Sequence, residues 1–400
     1  MSSDSSKRRS NGRILFLLAM LSCILAVVQG AATAPDGEPA WLQAAPDYLW
    51  NFPGDHGVHR DYKTEWWYFT GHLFPRGEPA APAMAFQLTF FRIGLLPDGP
   101  PALNSDWATA GLVMAHASVT DPARDRHIFS EVLWREIPLL GGFGTAADST
   151  LAWCRAPAGT DSLWSVTWDG DAFRLRARDR IGGLGYDLVC RPEKPLVFHG
   201  DGGFSPKSPD GRTGSLYFSY TRMSVTGSIT RGDSAVDVSG TSWMDREIFT
   251  STLARNQTGW DWLSLQLDDG RELMVYRLRG TSPADDFALG TLVGVDGRVE
   301  TIPSDRWSLQ PQQTWQSPDT GSKYPVQWRL QVPSADLDLE LRATLPEQEN
   351  VSARSGVHYW EGAVTAHPWN SSDEDSLDSK AVGRGFVELT GYGEGSRPPV

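Results

Sequence analysis

Apolar and polar positions alternate along most of this chain from residue 65 onward. "EWWYFTGHL", "MAFQLTFFR", "AGLVMAHASVT", "LWSVTWDGDAFRLRARD", "SLYFSYTR", "LSLQLDDGRELMVYRLR" and "VQWRLQVPSADLDLELRA" are period-2 runs bounded by Gly, Pro and Asp. Such alternation sends successive side chains to opposite faces of a strand, so the pattern predicts an all-β, antiparallel chain. "LDDGREL" carries an Asp-Gly hairpin turn, and "WDGDAF" reads as another hairpin connection.

The strands also recur in order. "WWYFTGHL…MAFQLTFFRIG" matches "WDWLSLQLDDGRELMVYRLRG", and "GLVMAHASVTDPARDRHIF" matches "FALGTLVGVDGRVETIP". Further on, "WSVTWDGDAFRLRARD" matches "VQWRLQVPSADLDLELRA", and "GSLYFSYTR" matches "GRGFVELTG". The repetition predicts two copies of one β-meander, residues 35–230 and 231–400. Each copy has enough strands to close into a barrel, which removes exposed edges and offers an apolar ligand a mouth or interior. The alignment sets "GDHGVHRD" against "SWMDRE", each just ahead of a Trp-led strand, and so places both near barrel openings or the junction between barrels. "HPWNSSDEDSLDSKAVG" reads as a solvated loop in the second copy.

Composition sharpens this. Seventeen Trp suit β-structure and apolar pockets, and 40 Gly with 27 Pro favour many turns. A net charge of −13 argues against a nucleic-acid partner. At the N-terminus, Lys7, Arg8, Arg9 and Arg13 precede the apolar run "ILFLLAMLSCILAVV", and "ATA" at 32–34 offers a cleavage site. Residues 1–34 therefore read as an export signal, whose apolar core is too short to span a membrane comfortably. A periplasmic or secreted protein without stable membrane insertion is expected. A lipoprotein anchored at Cys23 is the less favoured alternative, since apolar residues run on past it. Cleavage leaves Cys154 and Cys190, either one disulfide or two buried thiols.

The candidate chemistry is polar side chains in and beside these strands. His56 and His59, with Asp55, Asp61 and His72 nearby, resemble a metal set, but the segment is Gly-rich and lacks the helical His spacing of a zinc protease. They read better as histidines that hydrogen-bond loop backbone, with a secondary claim, beside His116, as ligand-binding residues near the domain junction, and no metal is expected. No G-x-S-x-G elbow or phosphate loop is present, which argues against a conventional serine hydrolase and nucleotide binding. In "SGTSWMDREIF", Trp243, Asp245 and Glu247 fall on one face of an extended strand. A carboxyl beside an indole and a second carboxyl should be pushed up in pKa and can serve as a general acid; the alternative is salt bridges to Arg at a domain seam. His199, in "LVFHGDGG", is a candidate base or simply part of a tight turn. His116 is a lone strand histidine, a core residue unless it faces a pocket. Glu65 and Arg92 read as a structural pair.

Taken together, "DHGVHRDYKTEWWYFTGHL", "FQLTFFR", "HGDGGFSPKS", "SWMDRE", "GWDWLSLQLDDGRELMVYRLRG", "TWQSPDTGSKYPVQWRLQVP" and "YWEGAV" resemble the AttH-like branch of the carotenoid 1,2-hydratase (hydroxyneurosporene synthase) family. The resemblance implies two tandem lipocalin-like β-barrels and a cofactor-free protein. In the hydratases an Asp protonates an alkene and water quenches the carbocation; Asp245 matches that Asp, with Trp243 where the hydratases have Tyr. Tyr217 and Tyr220 stand in the region where a hydratase strand carries His. These departures and the export signal speak against a carotenoid substrate. The expectation is an exported protein binding an apolar small molecule or lipid and hydrating or hydrolysing it. Asp245 would be the acid, Glu247 or His199 would assist, and Trp243, Tyr217 and Tyr220 would shape the pocket. The alternative is a non-catalytic carrier serving an ABC-transporter system.

Overall fold

The computed structural model describes residues 41–398 apart from 78–81, 101, 103–104, 146, 233, 252, 370–379 and 394–395. The expected export signal and most of the acidic insert lie outside these residues. Among the described residues no helix is long and apolar enough to cross a membrane.

Among the described residues the regular structure is almost wholly strand. The first sheet comprises β1 (Thr64–Pro75), β2 (Met84–Gly94), β3 (Gly111–Asp121), β4 (Arg126–Arg135), β5 (Gly141–Phe143), β6 (Thr150–Arg155), β7 (Leu163–Trp168), β8 (Phe173–Asp179), β9 (Leu184–Pro192), β10 (Val197–Phe198), β11 (Phe204–Pro206), β12 (Gly214–Arg231) and β13 (Ser234–Phe249). The second comprises β14 (Gln257–Leu267), β15 (Glu272–Gly280), β16 (Phe287–Val293), β17 (Val299–Pro303), β18 (Ser308–Gln316), β19 (Lys323–Val332), β20 (Leu337–Ala343), β21 (Glu349–Val351), β22 (His358–Pro368) and β23 (Gly383–Leu389). Their main orders are β4-β3-β2-β1-β13-β12-β9-β8-β7-β6-β5 and β17-β16-β15-β14-β23-β22-β20-β19-β18. Each curls into a near-closed antiparallel barrel around its own apolar core.

The first barrel extends past residue 231. β12 turns at Gly232, whose φ of +67° suits glycine, into β13, and β13 then pairs with β1 along its length. The hairpin turn falls where the repeat pattern suggested a domain boundary, and the strand carrying "SWMDRE" completes barrel one. Counted outward from β1 and β14, the first two repeat matches keep their places, but β13 corresponds to β23 and β12 to β22. The later matches slip by one strand because amphipathic strands resemble one another and only pairing sets their order. For the same reason "GDHGVHRD", in a 3-10 turn and loop ahead of β1, has no structural match in "SWMDRE".

Alternation decides what each barrel buries. In β1, Trp67 and Phe69 enter the core of barrel one, whereas Tyr68 packs outward with Trp243, Trp262, Met274, Tyr276 and Phe386. The outer faces of the two barrels therefore meet in an apolar seam. Polar clamps tie its margins: Arg222 and Lys194 both hold Glu272, at 2.5 and 2.7 Å, and His72 reaches the carbonyl of Gly385 at 3.0 Å. Cys154 and Cys190 are buried free thiols on non-adjacent strands of barrel one, so of the two readings the thiols hold.

Candidate functional site

The seam opens into a pocket of about 720 Å³, its mouth included, lined by aromatic rings and four carboxyl groups, Asp245, Glu247, Glu361 and Glu388. Barrel one contributes Trp66 and Tyr68 from β1 and Asp245 and Glu247 from β13; barrel two contributes Trp260 and Trp262 from β14 and the two remaining glutamates.

The contributions are related by the repeat. Tyr68 stands opposite Asp245 on the neighbouring strand, and Trp262 stands opposite Glu388 in the same relation. Across the seam the matching residues touch: Trp66 and Trp260 have ring centroids 6.2 Å apart, and Tyr68 and Trp262 are 5.3 Å apart, edge to face. Two copies of one strand pair thus meet about the pocket, each bringing an acid to the equivalent register.

Asp245 is held by donors alone. Ser219 Oγ and Trp243 Nε1 donate to Oδ1, the latter at 2.6 Å, and Tyr217 Oη donates to Oδ2 at 2.7 Å. Oδ1 is then saturated, and the remaining position on Oδ2 is the place for an acid proton. Burial raises the Asp245 pKa to about 7 against the pull of these donors. Glu247 is instead ion-paired with Lys207 at 2.8 Å and accepts from Ser215. The Lys207 ammonium lies 4.2 Å from the Tyr276 ring centroid; burial opposes its charge, but Glu247 outweighs burial and its pKa is raised. In barrel two, Glu361 stands directly opposite Glu388. Burial pushes Glu361 up to about 7, and burial and the Glu361 charge push Glu388 well above the carboxylate range.

The remaining sequence candidates separate. Trp243, Asp245 and Glu247 share a face, as strand alternation requires, and Tyr217 joins them. Tyr220 lies three residues from Tyr217 in the same strand and so points into barrel one, 3.1 Å from His56 Nε2. His56 also stacks on Trp168 there, and its burial lowers its pKa to about 4. His59 sits between Asp55 and Glu65 at one end of that barrel, at 3.1 and 3.2 Å, away from the pocket wall. Glu65 binds Arg92 as expected, and Arg246 as well. His199 stands one layer behind the pocket: Nε2 lies 2.7 Å from Ser219 Oγ and Nδ1 lies 2.9 Å from Thr291 of barrel two. Since Ser219 donates to Asp245, His199 Nε2 carries the hydrogen toward Ser219. Burial lowers its pKa to about 3, so at neutral pH it is an uncharged orienting group rather than a base in contact with ligand. His116 is likewise one layer back, 2.7 Å from the hydroxyl of the lining residue Tyr359.

Glu361, Glu388, Lys207, Tyr276 and Tyr359 went unnoticed in the sequence. The available signal was a lone glutamate amid apolar neighbours in each of "YWEGAV" and "GFVEL".

A family model for AttH-like proteins matches residues 43–392. The chain belongs to the AttH-like family. A crystal structure of a protein designated AttH from Nitrosomonas europaea superposes with a TM-score of 0.74 at 31% identity, covering 88% of this chain and 99% of that one. Kievitone hydratase from Nectria haematococca shares the fold, with a TM-score of 0.60 at 14% identity over 86% of this chain and 93% of its own. No curated protein sequence matches the chain. The AttH-like fold thus comprises two barrels, and in this chain the seam between them carries the aromatic, carboxyl-lined pocket.

Proposed function

We propose that this AttH-like chain is an exported protein that takes an apolar small molecule or lipid into the seam pocket and adds water to it, with Asp245 as general acid. The observation that carries the reading is Asp245 itself, a buried carboxyl on an aromatic pocket with a pKa of about 7 and one open position on Oδ2. The Asp245 proton passes to one carbon of a C=C bond, the π bond breaks, and a C–H bond forms. Water adds to the adjacent cationic carbon, and its surplus proton returns to the Asp245 carboxylate, so atoms and charge balance. The indole and phenol faces of Trp66, Trp262 and Tyr68 stabilise the cation as it develops. Ser219, Tyr217 and Trp243 orient the carboxyl, and His199 orients Ser219. The N-terminal signal and the apolar seam support export and an apolar ligand.

The test is to identify lipid that co-purifies with the mature protein and follow it in H₂¹⁸O with wild type and Asp245→Asn. Product carrying one ¹⁸O with wild type alone is the expected result. Equal turnover by both rejects Asp245 as the acid. Bound lipid that neither protein alters makes the chain a carrier, of the kind that serves an ABC transporter.

A further inference from the structure

The acids of barrel two pose a problem that the hydration step leaves unsolved. Glu361 and Glu388 face each other across adjacent antiparallel strands, where like charges repel. Among the described residues no lysine or arginine pairs with either, and Lys207, the lysine in the pocket lining, is committed to Glu247. Glu361 is only 2% exposed and lines the pocket; Asn350 Nδ2 reaches its Oε2 at 3.5 Å, the Tyr68 and Tyr359 hydroxyls face the carboxyl, and its Oε1 has no partner within hydrogen-bond distance. A buried acceptor left open in this way costs free energy unless a ligand completes it. The walls around it are π faces: Trp66, Trp260, Trp262 and Tyr68.

A pair of carboxyls with an open acceptor, set among indole and phenol rings, has the chemistry that recognises a positively charged nitrogen. We propose that the Glu361–Glu388 end of the pocket binds the protonated amine of an apolar ligand, with an N–H donated to Glu361 Oε1. The inference rests on the reading of the seam pocket as the ligand site and is independent of the acid step at Asp245. It narrows the ligand class to apolar molecules that carry a basic nitrogen. Without ligand, burial and mutual repulsion keep a proton on the carboxyl pair near neutrality; the ammonium takes that proton's place and the proton leaves to solvent. Binding is therefore accompanied by proton release, and affinity rises with pH through neutrality.

The probes are 4-phenylbutylamine and its neutral isostere pentylbenzene, with binding to the mature protein followed by tryptophan fluorescence and by calorimetry in two buffers of different ionisation enthalpy. The amine is expected to bind at least about tenfold more tightly than pentylbenzene at pH 7.5, with proton release. In the double variant Glu361→Gln, Glu388→Gln that preference is expected to vanish while pentylbenzene still binds, which shows the pocket to be intact. Equal affinity of the two probes for wild type, or a preference that survives in the double variant, overturns the proposal. Should the variant fail to fold, the wild-type comparison alone decides. Amine selectivity with no ¹⁸O incorporated into the co-purified lipid would sink the hydration reading only, whereas ¹⁸O incorporation without amine selectivity would sink this one only.

Discussion

The hydroxyl of Tyr217 donates to Asp245 Oδ2 at 2.7 Å and itself accepts from Trp262 Nε1 at 3.1 Å. Tyr217 and Asp245 belong to barrel one and Trp262 to barrel two, so the geometry of the acid depends on both. A single barrel would leave Asp245 on an open outer face, in water, with an ordinary carboxylate pKa. The meeting of two outer faces desolvates it.

Asp245→Asn keeps the side-chain shape and removes the transferable proton. Turnover of the ligand is expected to fall by about 10²–10⁴ while binding changes only a few-fold. The sign of the pH dependence follows from the raised pKa. Asp245 is an acid only while protonated, so wild-type kcat is flat at low pH and falls as pH rises through about 7. A profile that instead rises through neutrality would mean that a base is rate-determining. The measurement is kcat between pH 5 and 9, with folding monitored at each point.

Glu361 ties the pocket to stability. Its pKa is raised by burial to about 7, so its contribution to stability is fully present below the ordinary carboxylate range and is lost as pH climbs through 7. Glu361→Gln removes the titration. The variant is expected to gain on wild type by on the order of 1–3 kcal/mol in going from pH 4.5 to 8. Denaturant unfolding at the two pH values checks it, and a gain that shrinks with pH would contradict the burial argument.

How much of this was legible in the sequence depends on range. Period-2 alternation is local, and it puts Trp243, Asp245 and Glu247 on one face from the sequence alone. The same rule separates Tyr217 from Tyr220, three residues apart, although the family resemblance sets both on the pocket. The Glu361–Glu388 pair was hidden because strand pairing, not sequence spacing, sets those residues opposite each other. The edge of barrel one was misplaced for a related reason: "TRGDS" reads equally well as a linker and as the turn of a long hairpin.

The thiols give a simple check on the fold. Cys154 and Cys190 are buried, on strands that do not neighbour each other, and burial raises both pKa values. A buried, protonated thiol is a poor nucleophile. Both are expected to resist thiol reagents in the native protein, to react fully after denaturation, and to leave Tm unchanged when a reductant is added. A fall in Tm with reductant would reveal a disulfide and a different barrel one.

Arg246 separates stability from chemistry within one strand. It follows Asp245 directly and therefore points the other way, into barrel one, with its guanidinium 3.7 Å from the Trp67 ring centroid. There it meets the buried Glu65 at 2.5 Å, while Arg92 holds the same carboxylate at 3.2 Å and the His59 amide donates at 2.9 Å. Burial works against the Glu65 charge, but Arg246 leads the groups that outweigh it, and its pKa falls to about 2. A depressed carboxyl contributes stability above its ordinary pKa and loses it as pH falls toward 2. Arg246→Met keeps most of the packing on Trp67 and leaves Glu65 short of one cation. Breaking a buried pair from one side typically costs about 3–5 kcal/mol, so the variant should unfold at markedly lower denaturant, and its acid unfolding should begin at higher pH. Once folded at low temperature, it should still bind ligand, because no atom of Arg246 lines the pocket. A variant within 1 kcal/mol of wild type by the same denaturant measurement would show that Arg92 and His59 suffice for Glu65 and that Arg246 adds little.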